Sequence, residues 1–302
     1  MYHFLPAPLR GLISILLLAL NTLIWCWPLF MLALIKLLLP IQRLQKPLRN
    51  AMVWIAEQWI ACNRLWINNA NQWQLHAYGT EAVDLQHSYL VTSNHASWVD
   101  IFMLQQGFNR RMPFFRFFLK QELIWVPLIG LCWWALEFPF MKRYSAAYLA
   151  KHPENKGQDL ATTRRACARF KDQSVAIVNF LEGSRFTEVK HHAQHSPYRH
   201  LLKPKAGGVA FVIDAMGEQL HALVDVTLYY PGNTPSFLDM LCGRLKHVEM
   251  HVQLRAIPRE FIGRDYAQDE AYRLEFQQWV NTLWQEKDAL LTQLQTRYQK
   301  QG

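Results

Sequence analysis

A chain of 302 residues is long enough for one large α/β domain plus an accessory segment, and needs no covalent staple to hold a core. Its five cysteines are far apart, with no C-x-x-C pair, which argues against a disulfide framework or a thiolate zinc site. The formal charge of +9 points to an anionic partner: nucleic acid, a phospholipid surface or a phosphorylated substrate, to be separated by where the charge lies.

The first segment is lopsided. No Asp or Glu precedes Glu57, while Arg10, Lys36, Arg43, Lys46 and Arg49 all fall before residue 50. Between Arg10 and Lys36 lie 25 uncharged residues, which as one helix would measure roughly 37 Å against a hydrocarbon core of roughly 30 Å. The run is longer than a signal-peptide core and has no small-residue cleavage site, so a retained membrane anchor is expected. The cations that follow it place its C-terminal side in the cytoplasm. Asn21-Thr22 and Pro28 leave a helical hairpin or an interfacial helix pair open beside a straight span. Residues 51–73 then space Trp54, Trp59, Trp66 and Trp73 among apolar and amide side chains, which suits a helix at the lipid–water boundary and equally a core helix.

From residue 74 onward the chain alternates. β-type runs at Trp73–Tyr78, Ser88–Thr92, Val175–Phe180, Leu220–Tyr229 and His247–Ile257 are separated by helical patterns near Trp98–Gly107, Asp159–Lys171 and Ala206–Met216. This predicts an α/β fold, a mixed central sheet flanked by helices, with the apolar helical anchor at its N-terminus. The organisation expected is an anchoring and interfacial segment over 1–73 and an α/β domain over 74–302. In HVEMHVQLRAI, Val248, Met250, Val252, Leu254 and Ala256 form the covered face. The C-terminal pattern from Gln268 to Gln299 is helical with breaks, and the apolar stretch Leu123–Leu136 is too short to span, hence a buried or membrane-dipping helix.

Four stretches could hold chemistry. In SNHASWVDIF, His95 follows a strand and Asp100 stands five positions on. On one continuous helix these would be about 140° apart, so they can meet only if His95 lies in the turn before a helix and Asp100 in its first turn. Asp100 would then fix the imidazole tautomer and leave the other nitrogen free to take a proton from a hydroxyl, a His–Asp pair with no protein nucleophile. Ser97-Trp98-Val99-Asp100 also fits a capping box, in which Asp100 serves only the helix end. NFLEGSRFT, 179–187, sets Glu182, Gly183, Ser184 and Arg185 at a strand end, able to present a guanidinium to phosphate or simply a surface turn with a local ion pair. LKPKAGG, 202–208, puts Lys203 and Lys205 before a helix start. EFPFMKRYS, 137–145, ends in Lys142 and Arg143. His191, His192, His195 and His200 resemble a metal tract, but no neighbouring carboxylate or thiol completes a ligand set, so no metal is expected and a polar loop is.

Taken in order, these stretches resemble the membrane-bound lysophosphatidic acid acyltransferases, the glycerolipid acyltransferase family, and within it the bacterial inner-membrane type. Asn94, His95 and Asp100 match its first motif, and Phe180-Leu181-Glu182-Gly183-Ser184-Arg185 its third, with Leu for Pro and Ser for Thr. The second is matched by Phe140-Met141-Lys142-Arg143, with Glu137 where a Gly is expected, and the fourth by LVDVTLYYP, with Asp225 for Pro. The resemblance covers residues 88–230.

It implies acyl transfer from a thioester, acyl-CoA or acyl carrier protein, to the sn-2 hydroxyl of lysophosphatidic acid, giving phosphatidic acid in phospholipid synthesis or remodelling. His95 would be the general base and Asp100 its orienter, with Asn94, Arg143, Glu182, Gly183, Ser184, Arg185 and Lys205 on the substrates. No cofactor is implied, because the thioester is itself a substrate. The implied partners are membrane phospholipids, the lysolipid acceptor and the donor carrier, at the cytoplasmic face of a bacterial inner membrane, with no nucleic acid. Transfer to another lysophospholipid such as lysophosphatidylglycerol, hydrolysis, and a membrane-tethered basic nucleic-acid-binding protein remain the alternatives.

Overall fold

The computed structural model describes residues 2–141, 158–170, 173–266 and 268–300. Two long helices come first: α1 (Ala7–Leu38) and, antiparallel to it, α2 (Gln42–Ala70). Asn21-Thr22 joins them rather than breaking α1. Asn21 donates to Asn63 Oδ1 at 2.9 Å and to the Trp59 carbonyl at 3.0 Å, and Trp59 Nε1 donates to Thr22 Oγ1 at 3.1 Å. Pro28 is accommodated inside α1.

Both ends of α1 are fastened to the same body. Near its start, Arg10 donates to the carbonyls of Ala70 at 3.4 Å and Gly243 at 3.3 Å. At its end, Lys36 Nζ lies 2.5 Å from Glu137 Oε1, and Arg49 of α2 lies 3.1 Å from Glu137 Oε2. The helix is long and apolar enough to cross a membrane, and both of its ends are bonded to the rest of the protein. Its outward stripe is Leu12, Leu16, Leu20, Leu23, Trp27, Met31, Leu34 and Leu38, all exposed, at the three- and four-residue spacing of one helix face.

The strands are β1 (Gln74–Tyr78), β2 (Ser88–Ser93), β3 (Phe115–Phe117), the short β4 (Leu119–Lys120) and β5 (Phe140–Met141), β6 (Ala176–Phe180), β7 (Leu220–Tyr229) and β8 (His247–Arg255). The main sheet has the order β1-β8-β7-β2-β6-β3. Strands β7, β2, β6 and β3 are parallel, β8 runs antiparallel to β7, and β1 runs parallel to β8. The remaining helices are α3 (Val99–Phe108), α4 (Ile129–Ala135), α5 (Gln158–Ala168), α6 (Glu188–Ala193), α7 (Gly207–Met216), α8 (Phe237–Leu241) and α9 (Glu270–Gln299).

Alternation along the central strands builds a core on each face of the sheet. Tyr89, Val91, Val178 and Val224 pack with Val99, Met103 and Phe108 of α3 and Trp66 and Ile67 of α2. Leu90, Ile177 and Leu223 pack with Val209 and Ile213 of α7 and Phe276 and Trp284 of α9. A third cluster joins Cys26 and Leu29 of α1, Ile55 of α2 and Cys132 of α4, with the Cys26 and Cys132 sulfurs 3.0 Å apart.

Three expectations are corrected. The C-terminal helix runs unbroken from Glu270 to Gln299, because Phe276, Val280, Leu283, Leu291 and Leu294 keep one buried stripe along it. Residues 123–136 are not one helix: a 3-10 turn, Gln121–Trp125, is followed by Pro127 and then α4. On β8, Leu254 is exposed while Glu249 is buried, since Arg297 and Tyr298 of α9 cover the carboxylate.

Candidate active site

Strands β2 and β6 are neighbours in register, Ser93 opposite Phe180, so the turns that follow them leave the sheet side by side. The first turn is strapped to β7: the Asn94 amide donates to the Leu228 carbonyl and accepts from the Leu228 N–H, both at 2.9 Å. His95 comes next, and Asp100 falls in the first turn of α3. His95 Nδ1 lies 2.9 Å from Asp100 Oδ2. The same oxygen accepts the N–H groups of Ala96 at 2.7 Å and Ser97 at 2.9 Å, and Oδ1 accepts the Tyr230 hydroxyl at 2.6 Å. Asp100 therefore both caps α3 and orients His95; the two roles share one carboxylate.

Four donors converge on this fully buried carboxylate, so every direction of approach to it is taken by an N–H or O–H. Burial, and then the Asp100 charge, push the Tyr230 phenol up, so it remains a donor. Nδ1 of His95 must then be the protonated nitrogen, and Nε2 carries the free lone pair. The imidazole stacks on Phe180 with centroids 4.0 Å apart and planes 17° from parallel, which fixes where Nε2 points.

The second turn braces the first. Glu182 is buried, accepting the His95 N–H at 2.7 Å and the Leu202 N–H at 3.0 Å. Burial pushes its carboxyl up to about 7, against the pull of the two N–H groups. The Phe186 N–H donates to the His95 carbonyl at 2.7 Å. Gly183 has φ +66°, and a Cβ there would stand 3.2 Å from Lys205 Cδ, so the left-handed turn lets Lys205 lie across it. The Lys205 side chain is exposed at this rim, and the exposed Arg185 guanidinium sits over the Trp98 ring, 4.8 Å from its centre.

Asn94, His95, Asp100, Glu182, Gly183, Ser184, Arg185 and Lys205 thus gather at one sheet edge. The side chains of Asn94 and Glu182 are occupied by backbone groups, while Arg185 and Lys205 are open to solvent. Lys142 and Arg143 lie outside the described residues. The histidine tract braces its own loop: His191 Nε2 pairs with the Tyr198 carbonyl at 2.6 Å, and His200 Nε2 with Thr292 Oγ1 at 3.1 Å. Among the described residues no group of three His, Cys, Asp or Glu side chains is placed to hold a metal ion.

Sequence reasoning missed Tyr230, whose only signal is its place at the end of LVDVTLYYP, and it missed the cavity. A space of about 730 Å³ opens beside His95, within the usual span of ligand sites. Its wall is apolar and comes from α1 (Leu18, Cys26, Leu29), α2 (Ile55, Trp59), α4 (Cys132, Trp133) and the strand ends. Phe180, Phe117 and Phe138 form a series of stacked rings leading from His95 into it.

A buried carboxylate, an oriented imidazole with one free ring nitrogen and an adjoining apolar cavity make an arrangement able to take a proton from a hydroxyl held beside an apolar chain. Residues 74–230 match the acyltransferase family model, and the chain belongs to that family. It is 32% identical over 192 residues to 1-acyl-sn-glycerol-3-phosphate acyltransferase gamma of Mus musculus, 61% of this chain and 45% of that protein. It is 30% identical over 179 residues to the delta enzyme of Homo sapiens, 56% of this chain and 43% of that one. The chain thus matches less than half the length of these relatives. Its fold is that of the crystal structure of the 1-acyl-sn-glycerophosphate (LPA) acyltransferase PlsC from Thermotoga maritima, with a TM-score of 0.53, 13% identity, and coverage of 92% of this chain and 97% of that one.

Proposed function

We propose that this acyltransferase moves an acyl chain from a thioester, acyl-CoA or acyl carrier protein, to the sn-2 hydroxyl of 1-acyl-glycerol-3-phosphate, forming phosphatidic acid. The observation that carries the reading is the His95–Asp100 pair, at 2.9 Å, opening onto an apolar cavity of about 730 Å³. The relatives named for 1-acyl-sn-glycerol-3-phosphate support the acceptor.

In this reading His95 Nε2 takes the proton from the acceptor hydroxyl as its oxygen bonds to the thioester carbonyl carbon. Asp100 stabilises the imidazolium that forms. Collapse of the tetrahedral intermediate breaks the C–S bond, and the imidazolium returns its proton to the departing thiolate, leaving an ester and a free thiol. The acyl chain occupies the cavity, out of water. Arg185 and Lys205 hold phosphate at the rim, where a guanidinium can take two oxygens at once, and Arg143 is assigned to the substrates on its place in the sequence motif alone.

The enzyme works on the cytoplasmic leaflet of a bacterial inner membrane, with α1 lying in the surface. Support for this is the exposed apolar stripe of α1 next to the exposed cations Arg43 and Lys46, which an anionic leaflet attracts. The test is to offer purified wild type and His95→Ala protein labelled acyl-CoA and acyl carrier protein against a panel of lysolipids. Phosphatidate should form only with wild type. Preference for a different head group, or water as acceptor, would overturn the assignment.

A further inference from the structure

Residues 121–136 make a stiff projection. The 3-10 turn Gln121–Trp125 leads through Pro127 to Leu128, at φ +62°, and into α4. The turn is pressed against the helix: a Cβ on Gly130 would lie 2.1 Å from the Ile124 carbonyl oxygen. The two sides of this projection have different work. Ile129, Cys132, Trp133 and Leu136 face inward and line the cavity beside His95. Trp125, Leu131 and Trp134 face outward, 84%, 53% and 50% exposed, and Val126 is exposed beside them, while Leu128, also exposed, stands at the cavity mouth. Trp125, Leu131 and Trp134 take no part in the cavity wall.

The helix that carries this outer face packs against α1, whose own exposed side is apolar. Cys132 of α4 meets Cys26 of α1, and Glu137, just past α4, pairs with Lys36 at the end of α1 and with Arg49 of α2. Exposed Arg43 and Lys46 stand at that same end. Exposed Lys120 and Glu122 precede the tryptophan. Indole rings beside aliphatic side chains, flanked by cations, match the chemistry of the head-group and acyl boundary.

We propose that residues 125–134 are a second membrane contact, inserting Trp125, Leu131 and Trp134 into the surface of an anionic phospholipid bilayer alongside α1. This rests on the reading that α1 itself lies in that surface. One short helix then has bilayer on its outer side and the acyl cavity on its inner side, so the donor or acceptor chain in the site is separated from the lipid phase by the width of α4.

The test uses the full chain with one added cysteine at a time, Leu131→Cys, Leu20→Cys on α1, or Leu274→Cys, an exposed site on α9. Each is labelled with a water-soluble maleimide, free or on vesicles of phosphatidylethanolamine and phosphatidylglycerol, and read peptide by peptide in a mass spectrometer. Labelling at positions 131 and 20 should fall at least about tenfold on vesicles, with position 274 unchanged. Protection at 20 without protection at 131 would sink the second contact and leave the α1 reading standing. Protection at neither would sink both. Protection at 131 without lipid, rising with protein concentration together with a dimer mass, would assign the face to a second copy. Leu131→Glu gives a kinetic arm: turnover on detergent-dispersed acceptor should stay within about twofold of wild type while turnover on vesicles falls at least about tenfold. Equal turnover on vesicles would overturn the proposal.

Discussion

Replacing Asp100 with Asn removes one charge from the site while leaving most of its geometry in place, and the four donors around the carboxylate say how the amide must sit. Oδ2 receives His95 Nδ1–H and the N–H groups of Ala96 and Ser97, whereas Oδ1 receives only the Tyr230 hydroxyl. An amide nitrogen at the Oδ2 position would face three donors. At the Oδ1 position it meets a hydroxyl that can rotate and accept. The Asn therefore keeps its oxygen toward His95, and the imidazole keeps its tautomer. A serine-protease triad loses about 10⁴ in kcat on the equivalent change because its imidazole adopts the wrong tautomer, and that component is absent here. What disappears is the attraction between carboxylate and imidazolium, about 4 kcal/mol for unit charges about 4 Å apart at an effective dielectric of about 20. At about 1.4 kcal/mol per decade this is roughly 10³ in kcat. The variant also loses charge-assisted bonds from two backbone N–H groups, so it should unfold about 1–3 kcal/mol more easily. The assay is single-turnover acyl transfer with labelled thioester at saturating acceptor, paired with nitrogen-15 shifts of the His95 ring. A kcat within tenfold of wild type would show that the Asp100 charge does not drive catalysis. A large loss with the proton found on Nε2 would show that the amide sits the other way round.

Tyr230→Phe deletes the donor to Asp100 Oδ1 and leaves the carboxylate charge more concentrated toward His95. We expect kcat to fall about tenfold because the carboxylate that orients His95 loses one of its four donors; full activity would show that Oδ1 needs no partner. Glu182 has a folded pKa, about 7, above the ordinary value of 4.5, so its contribution to stability is full below the unfolded pKa and is lost as pH rises through about 7. Between pH 5.5 and 8, wild type should therefore lose about 2 kcal/mol relative to Glu182→Gln in urea unfolding; a constant difference would show Glu182 ionised throughout. Lys287 is fully buried on α9, with Nζ 2.7 Å from Asp225 Oδ1. Lys287→Met should cost about 3–5 kcal/mol, because it leaves Asp225 only Arg255 at 3.7 Å and the Thr92 hydroxyl at 3.4 Å, and adding Asp225→Val should restore at least half of it. A double variant no more stable than the single one would mean that Lys287 serves only the Val226 carbonyl and Thr227 hydroxyl it also contacts.

What the sequence made legible is what short stretches encode. The strands Ser88–Ser93 and Ala176–Phe180 have local apolar runs, and the His95–Asp100 spacing allows only a turn-then-helix geometry if the two are to meet. What it hid depends on distant segments meeting. The cavity has walls from α1, α2, α4 and the strand ends, none of which encloses anything alone. Tyr230 reaches Asp100 across 130 positions. β3 is three residues long, too short for a period to show. The apolar run of α1 carries no sign of what it packs against, and the bonds by which Arg10 and Lys36 tie its ends to the body of the protein join positions far apart in the chain.

The two departures from the family motifs become intelligible on the same footing. Glu137 has φ +62°, a left-handed backbone in which the Gly expected by the motif would be at ease. A glutamate there is strained, and it is held by Lys36 and Arg49 from the N-terminal helices, with the buried Arg116 adding a third positive field. Asp225, where the motif has Pro, puts a carboxylate under the sheet and meets Lys287 from the C-terminal helix. In both cases the unusual anion inside the motif is matched by a cation outside it, on a helix at one end of the chain. Each departure therefore fastens a terminal helix to the catalytic sheet: the Glu137 pairs fix the wall of the acyl cavity, and the Asp225 pair fixes α9 beneath β7. A substitution toward the family residue at either position would free the motif of an anion and leave its cation without that counter-charge, so these positions are expected to change together with Lys36, Arg49 and Lys287 and not singly.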